Sequence, residues 1–210
     1  MELLDVILHL DVHLVRWVEA YGIWIYAILF AIIFSETGFV VTPFLPGDSL
    51  LFVAGAIAAT GAMNVHLLAA LLIAAAILGN SVNYAIGRWL GKTFFRDRGS
   101  KWLNPAHLDK AHAFYERHGG KAIVISRFLP IVRTYVPFVA GMAAMEAKMY
   151  TAYNVAGGVL WVASLLYAGY FFGNIPWIKG NLTAIIIGII VVSLLPLVIA
   201  YLKSRFAKAA

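Results

Sequence analysis

The stretch "FSETGFVVTPFLPGDSLLFVAG", residues 34–55, decides how the rest of the chain is read. It is apolar enough for a membrane interior. Yet it carries Glu36 and Asp48, with Pro43, Pro46 and Gly47 between them. Proline removes a backbone donor and breaks a helix, and "PGDSLL" reads as a turn followed by a helix start, with Asp48 in the N-cap role. Unwound backbone at membrane depth is tolerated only where it is buried in protein or lines a cavity. The stretch is therefore expected to enter the membrane, break and turn back, over about residues 36–60.

The surroundings fit a membrane protein. Hydrophobic residues make up 62% of the 210, charged residues 12%, and mean hydropathy is +0.86. Soluble domains run nearer half apolar and about a quarter charged. Ser49–Gly87, Met149–Ile178 and Gly180–Leu202 contain no Asp, Glu, Lys or Arg, and a spanning helix needs ~20 such residues. Runs such as "AIIIGIIVVSLLPLVIAYL" do not alternate, which excludes a β-barrel reading. Cysteine is absent, which excludes disulfides and thiolate chemistry. Glu2, Asp5 and Asp11 stand where a cleavable signal would be basic, so none is expected.

The net charge of +6 is concentrated. Eight basic and three acidic residues lie between Arg88 and Lys121. Beside membrane spans such an excess marks a cytoplasmic loop, here 91–121, rather than a nucleic-acid patch. Inside it, "NPAHLDKAHAFYERHGG" has Asn104 as N-cap, Pro105 at N1 and Gly119 at the end, the pattern of a surface helix. Lys203, Arg205 and Lys208 place the C-terminus, with its 204–210 basic tail, on the same side. Residues 1–20 read as an interfacial amphipathic helix, and 21–203 as a single membrane domain. Long helices are expected over about 65–90, 149–173 and 181–203.

A second broken segment, "AIVISRFLPIVRTYVPFVAG", covers 122–141. It is apolar, interrupted by Pro130 and Pro137, and charged by Arg127 and Arg133. "FVAG" occurs at 52–55 and at 138–141, an offset of 86; "YAIGRWLG" (84–91) and "YAGYFFG" (167–173) both end in Gly-x-x-x-Gly, with those glycines offset by 82. A four-residue insertion or deletion reconciles the two offsets. With 91–121 and the C-terminus both cytoplasmic, 149–173 and 181–203 use up the crossings, so about 122–145 must enter and leave on the cytoplasmic side. The expected fold is an all-α membrane bundle with two facing re-entrant hairpins related as an inverted repeat, an architecture of transporters.

Glu36, Asp48, Arg127 and Arg133 are the ionisable residues at apparent membrane depth. Each costs ~2.5–3.5 kcal/mol or more facing lipid at a helix centre, so they should face an interior. Two readings stand. They are internal ion pairs, or they form a site in which arginine grips phosphate oxygens and carboxylates carry protons. Six residues apart on a straight helix, the two arginines would point about 120° away from each other, so their convergence needs the break at Pro130. Asn80, Asn83, Asn154 and Trp161 either line a cavity or simply pack. The histidines (9, 13, 66, 107, 112, 118) show no metal spacing beyond His9 and His13 at i, i+4, and neither metal nor cofactor is expected.

The motifs "ETGFVVTPFLPGDSLLFVAG", "GNSVNYAIGRWLG", "FYERHGGKAIVISRFLPIVRTYVPFVAGM" and "YNVAGGVLWV" resemble the DedA family of bacterial inner-membrane proteins, also described as the SNARE-associated or VTT domain, with the DedA subgroup nearest. The resemblance is strongest over about 20–175. It implies facing re-entrant hairpins, lipid translocation including undecaprenyl phosphate recycling, dependence on the proton gradient and a part in envelope integrity. The family's essential acidic and arginine residues fall on Glu36, Asp48, Arg127 and Arg133. Asn80 departs from the Asp expected there, which removes one proton site.

The expected function is proton-coupled transport of an anionic lipid, undecaprenyl phosphate or a phospholipid, by a multi-pass protein of the bacterial inner membrane with a cytoplasmic C-terminus. A passive scramblase or an envelope scaffold is the rival. A lipid phosphatase is disfavoured, because no histidine follows His118 and Ser126 is the sole formal nucleophile of "SRFLP". The chain is thus expected not to be an enzyme. Its partners are lipids and protons, with homo-oligomerisation left open.

Overall fold

A computed structural model describes residues 10–39, 47–96, 120–181, 184–185 and 187–188. Helix α1 (Leu10–Tyr21) covers the described part of the expected amphipathic segment. It stops at Gly22, whose φ of +51° is left-handed backbone that glycine adopts without a steric penalty. Helix α2 (Trp24–Gly38) is apolar until it reaches Ser35 and Glu36. Helix α3 (Gly47–Ala58) starts after the proline-rich stretch and holds Asp48 in its first turn, where the helix dipole favours a carboxylate. Pro43 and Pro46 lie outside the described residues.

Helix α4 (Val65–Arg96) begins at Asn64, whose Oδ1 accepts from the His66 amide at 3.0 Å, an N-cap. It runs six residues past the end expected at about 90, so it takes up the start of the basic loop. Helices α5 (Lys121–Ser126) and α6 (Pro130–Met142) pack on one another and are separated by a break at 127–129. Pro130 accounts for the break. A residue ahead of proline is pushed to extended backbone, and Leu129 sits at φ −120°, ψ 100°. Pro137, by contrast, is accommodated inside α6. Helix α7 (Ala147–Phe172) and the short α8 (Pro176–Gly180) follow. Residues 65–91 of α4 and all of α7 are long and apolar enough to cross a membrane, with mean hydropathies of 2.1 and 1.6. Among the described residues there is no strand. The expected surface helix at 104–119, the third span at 181–203 and the basic tail at 204–210 fall almost wholly outside the described residues.

The chain divides into two units. The first takes residues 1–25, 46–66 and 164–210, so α1 and α3 join the end of α7. Here α1 packs on α3, and Leu14, Leu50, Leu51 and Leu166 are buried. The second takes 26–45 and 67–163, with α5, α6 and parts of α2, α4 and α7. Its core includes Tyr84, Ile123, Ala140, Met145 and Tyr150.

Each unit contains a glycine-lined helix–helix seam, and these two seams follow one pattern. In the first unit a methyl at Gly169 would overlap the Phe52 carbonyl, one at Gly55 the Leu166 carbonyl, and one at Gly173 would run into Ala56. In the second unit the same holds for Gly87 on Phe138, Gly141 on Tyr84 and Gly91 on Met142. The "FVAG" segments and the Gly-x-x-x-Gly segments are thus partners, but crosswise. The first "FVAG" packs on the second Gly-x-x-x-Gly helix, and the second "FVAG" on the first. The repeat in sequence is a repeat in contacts.

Candidate functional site

Glu36, Arg127 and Arg133 all belong to the second unit, while Asp48, half-buried at the start of α3, belongs to the first. Glu36 reaches its place because α2 meets α4 closely. Gly38 lies against Gly79, and any side chain at Gly79 would collide with Thr37 and the Phe34 carbonyl. Thr37 turns its hydroxyl back to the Ile33 carbonyl at 2.8 Å, so it does not compete for the neighbouring groups. Glu36 is 0% exposed and forms an ion pair with Arg133, which is 4% exposed. The Arg133 guanidinium carbon also lies 5.1 Å from the ring centroid of buried Trp161, a cation–π distance.

Asn83 ties the elements around this pair together. Its Nδ2 donates to the Thr134 carbonyl at 2.8 Å and reaches the Thr37 carbonyl at 3.4 Å, linking α4 to α6 and α2. Thr134 itself is fully buried next to Arg133. Gly87, one turn further along α4, packs on α6 at Phe138. Asn83 and Gly87 therefore share a packing face.

Arg127 is held differently. It caps α5 at the break and is 1% exposed. Its Nη2 donates to the Asn154 side-chain oxygen, to the Asn154 carbonyl at 3.2 Å and to the Ala76 carbonyl at 3.4 Å. With the Asn80 amide oxygen turned toward it, Asn80 adds a 3.0 Å acceptor and donates to the Thr37 carbonyl at 3.2 Å. Asn154 is fixed in turn, its Nδ2 donating to the Ile77 carbonyl at 3.0 Å and to Ser81 Oγ at 3.1 Å. Tyr150 donates to the Asn80 carbonyl at 2.8 Å and stacks on Tyr84, which donates to the Met145 carbonyl at 2.6 Å.

Among the described residues, then, only one of the two arginines has a carboxylate. Every acceptor on Arg127 is neutral, and its Nε and Nη1 have no hydrogen-bond partner. A buried ion carries a desolvation penalty of several kcal/mol unless it is paired, so this guanidinium leaves the cluster of two arginines and one glutamate with a net positive charge. Such a site attracts an anion, and a planar guanidinium suits phosphate or carboxylate oxygens.

The structure brings together Glu36, Arg127, Arg133, Asn80, Asn83, Asn154 and Trp161. Sequence reasoning does not single out Thr37, Ser81, Thr134 or the tandem Gly157–Gly158. The available signal is position: Thr37, Ser81 and Thr134 each directly follow a named polar residue, and Gly157–Gly158 lie one helical turn beyond Asn154. His9, His107, His112 and His118 lie outside the described residues. His13 sits by Trp17 with ring centroids 6.5 Å apart, and His66 hydrogen-bonds Tyr167 at 2.8 Å.

The VTT domain family matches residues 45–171. Protein DedA of Escherichia coli K12 is 56% identical over 209 residues, covering 99% of this chain and 95% of the relative. Inner membrane protein YqjA of the same organism is 41% identical over 155 residues, 72% of this chain and 69% of that protein. A membrane protein of Mycobacterium leprae is 40% identical over 187 residues, 88% and 84% respectively. No solved structure matches. With the two long apolar helices, these matches establish that the chain belongs to the DedA family of VTT-domain membrane proteins.

Proposed function

We propose that the protein moves a phosphate-headed lipid anion, undecaprenyl phosphate first among them, across the bacterial inner membrane and couples that movement to protons. The observation that supports this reading is a buried cluster, inside a membrane domain, of two guanidiniums with one carboxylate. The arginines hold the phosphate. Glu36 and Asp48 carry the protons, Glu36 by releasing Arg133 when it is protonated. The broken segments α2–α3 and α5–α6 act as the re-entrant hairpins, α4 and α7 cross the membrane, and the C-terminus faces the cytoplasm. The printed name of YqjA places that relative in the inner membrane, which supports the same location here.

The test is transport in proteoliposomes under an imposed proton gradient, with undecaprenyl phosphate and phosphatidylglycerol as separate substrates. Gradient-dependent movement of the phosphate lipid is expected, and its loss in Arg133→Ala. An Arg133→Ala variant that transports as fast as wild type removes the arginine role. Equilibration that ignores both gradient and pH assigns the protein to the passive scramblases instead. Release of inorganic phosphate from a lipid diphosphate would make it an enzyme.

A further inference from the structure

Arg133 touches two groups of different kinds, the Glu36 carboxylate from α2 and the indole of Trp161 from α7, and all three side chains are buried. A carboxylate can take up a proton and lose its charge. An indole face attracts a cation through its quadrupole and has no proton to exchange. Arginine stays protonated throughout. The two holds on Arg133 therefore answer differently to protons.

The surroundings sharpen that difference. Among the described residues of this unit, the buried titratable or charged side chains are Glu36, Arg127, Arg133, Tyr84 and Tyr150. The two tyrosine hydroxyls donate to the Met145 and Asn80 carbonyls, and the Arg127 charge repels that of Arg133. Nearer the surface, Arg88 of α4, Lys121 of α5 and Lys148 of α7 are cations as well, and Glu146 is exposed in the turn before α7. Once Glu36 is neutral, the buried side chains described in this unit include no anion. A buried cation without a counter-charge is costly, and the ring of Trp161 is then the attraction that remains.

Helix α7 is suited to such a hold. Asn154, Gly157 and Trp161 follow one another at helical spacing on one face. Asn154 accepts from Arg127, and the Arg127 stem lies against Gly157, where a Cβ would stand 3.0 Å from Cδ. Trp161 takes Arg133, its ring centroid 5.1 Å from the guanidinium carbon. One stripe thus supports both cations, and α7 contains no carboxylate, so its grip is the same at any pH. Trp161 is among the largest fully buried side chains, which keeps the ring in place while the carboxylate changes state.

We infer that Trp161 is a positioning residue: it is a second seat that receives Arg133 when Glu36 takes a proton and keeps the cation in the buried site until the carboxylate is charged again. This rests on the proton-coupled reading and adds to it what holds the arginine while its partner is neutral.

Glu36→Gln imitates the protonated carboxyl. Melting temperatures of the purified full-length protein in detergent are measured for Trp161→Leu, for Trp161→Phe and for a fluorinated tryptophan installed at position 161, each with and without Glu36→Gln. Fluorine keeps the shape of the indole and withdraws charge from its face, weakening a cation–π contact. Trp161→Leu should lower melting roughly twice as far beside Glu36→Gln as in wild type, a non-additive loss. Fluorination should barely move wild-type melting and should lower that of Glu36→Gln by several degrees. Trp161→Phe keeps a π face and should recover most of the extra loss. Adding Arg133→Met should abolish the difference between the two backgrounds, because no cation is left to hold. Equal losses in both backgrounds would mean that the ring only packs, which overturns the second seat and leaves the proton role of Glu36 standing. A difference that survives Arg133→Met overturns it as well. Should Trp161→Leu fail to fold, the fluorinated side chain decides alone, and its having no effect beside Glu36→Gln counts against the seat. If Glu36→Gln moves undecaprenyl phosphate in proteoliposomes in step with the proton gradient as wild type does, the proton reading itself fails and the seat loses its trigger.

Discussion

Glu36 and Arg133 stand 97 residues apart in sequence and form an ion pair that water barely reaches. A buried pair is weak evidence for stability as a pair, but losing one partner costs about 3–5 kcal/mol because the other charge is left uncompensated. Glu36→Leu should therefore lower the melting temperature sharply. Glu36→Leu with Arg133→Met should recover most of that loss while remaining inactive in transport. A double variant as unstable as the single one would show that the pair is held by more than its charges. At this scale sequence reasoning reaches the residue types, since four ionisable side chains in an apolar chain are conspicuous. It does not assign partners. Which carboxylate faces which guanidinium depends on packing between α2 and α6, and the absence of any carboxylate at Arg127 has no signature along the chain. Asn80 and Asn154 are readable as polar residues in apolar helices, but not as the two neutral oxygens that meet at one nitrogen.

Helix ends show where local rules suffice. The break before Pro130 and the Asn64 cap follow from residue chemistry within a turn. The end of α6 does not. There the Ala144 amide donates to the Gly141 carbonyl and the Met145 amide to the Ala140 carbonyl, both at 3.0 Å, a Schellman closure. Its left-handed position is filled by alanine, at φ 56°. Left-handed backbone costs an alanine about 1–2 kcal/mol, offset in glycine by about 0.5–1 kcal/mol of lost chain freedom. Ala144→Gly is therefore expected to raise stability by up to ~1 kcal/mol, read as a higher melting temperature, and a fall would mean that the methyl packs usefully. The helix seams predict the opposite sign. Gly87→Val pushes a branched side chain into the Phe138 carbonyl, where only backbone can yield, and should cost about 3 kcal/mol or more. Gly22→Ala, with nothing near its Cβ, should cost only the backbone term of about 1 kcal/mol. Equal losses at the two positions would show that the seam gives way easily.

For the whole molecule, the absence of cysteine offers a direct check on topology. Single cysteines at Ala62, Ser100, Glu146 and Asn174 should label in two groups. Ala62 and Asn174 are expected to react from the periplasmic side, Ser100 and Glu146 from the cytoplasmic side. Labelling of Ala62 and Ser100 from one side would deny that α4 crosses. Composition and charge make the all-helical membrane class legible, and the paired "FVAG" and Gly-x-x-x-Gly motifs make the repeat legible. The crosswise pairing is hidden, because a motif records what a surface can accept and not which distant segment supplies it. The crosswise seams have an evolutionary meaning. Each Phe-x-x-Gly helix is seated on the Gly-x-x-x-Gly helix of the other half of the chain, so neither copy of the motif pair closes on itself. Sequence drift is blocked accordingly. A methyl at position 87 or 169 would meet only backbone, at 138 and at 52, so no side-chain change in the opposite half relieves it and both glycines should resist substitution.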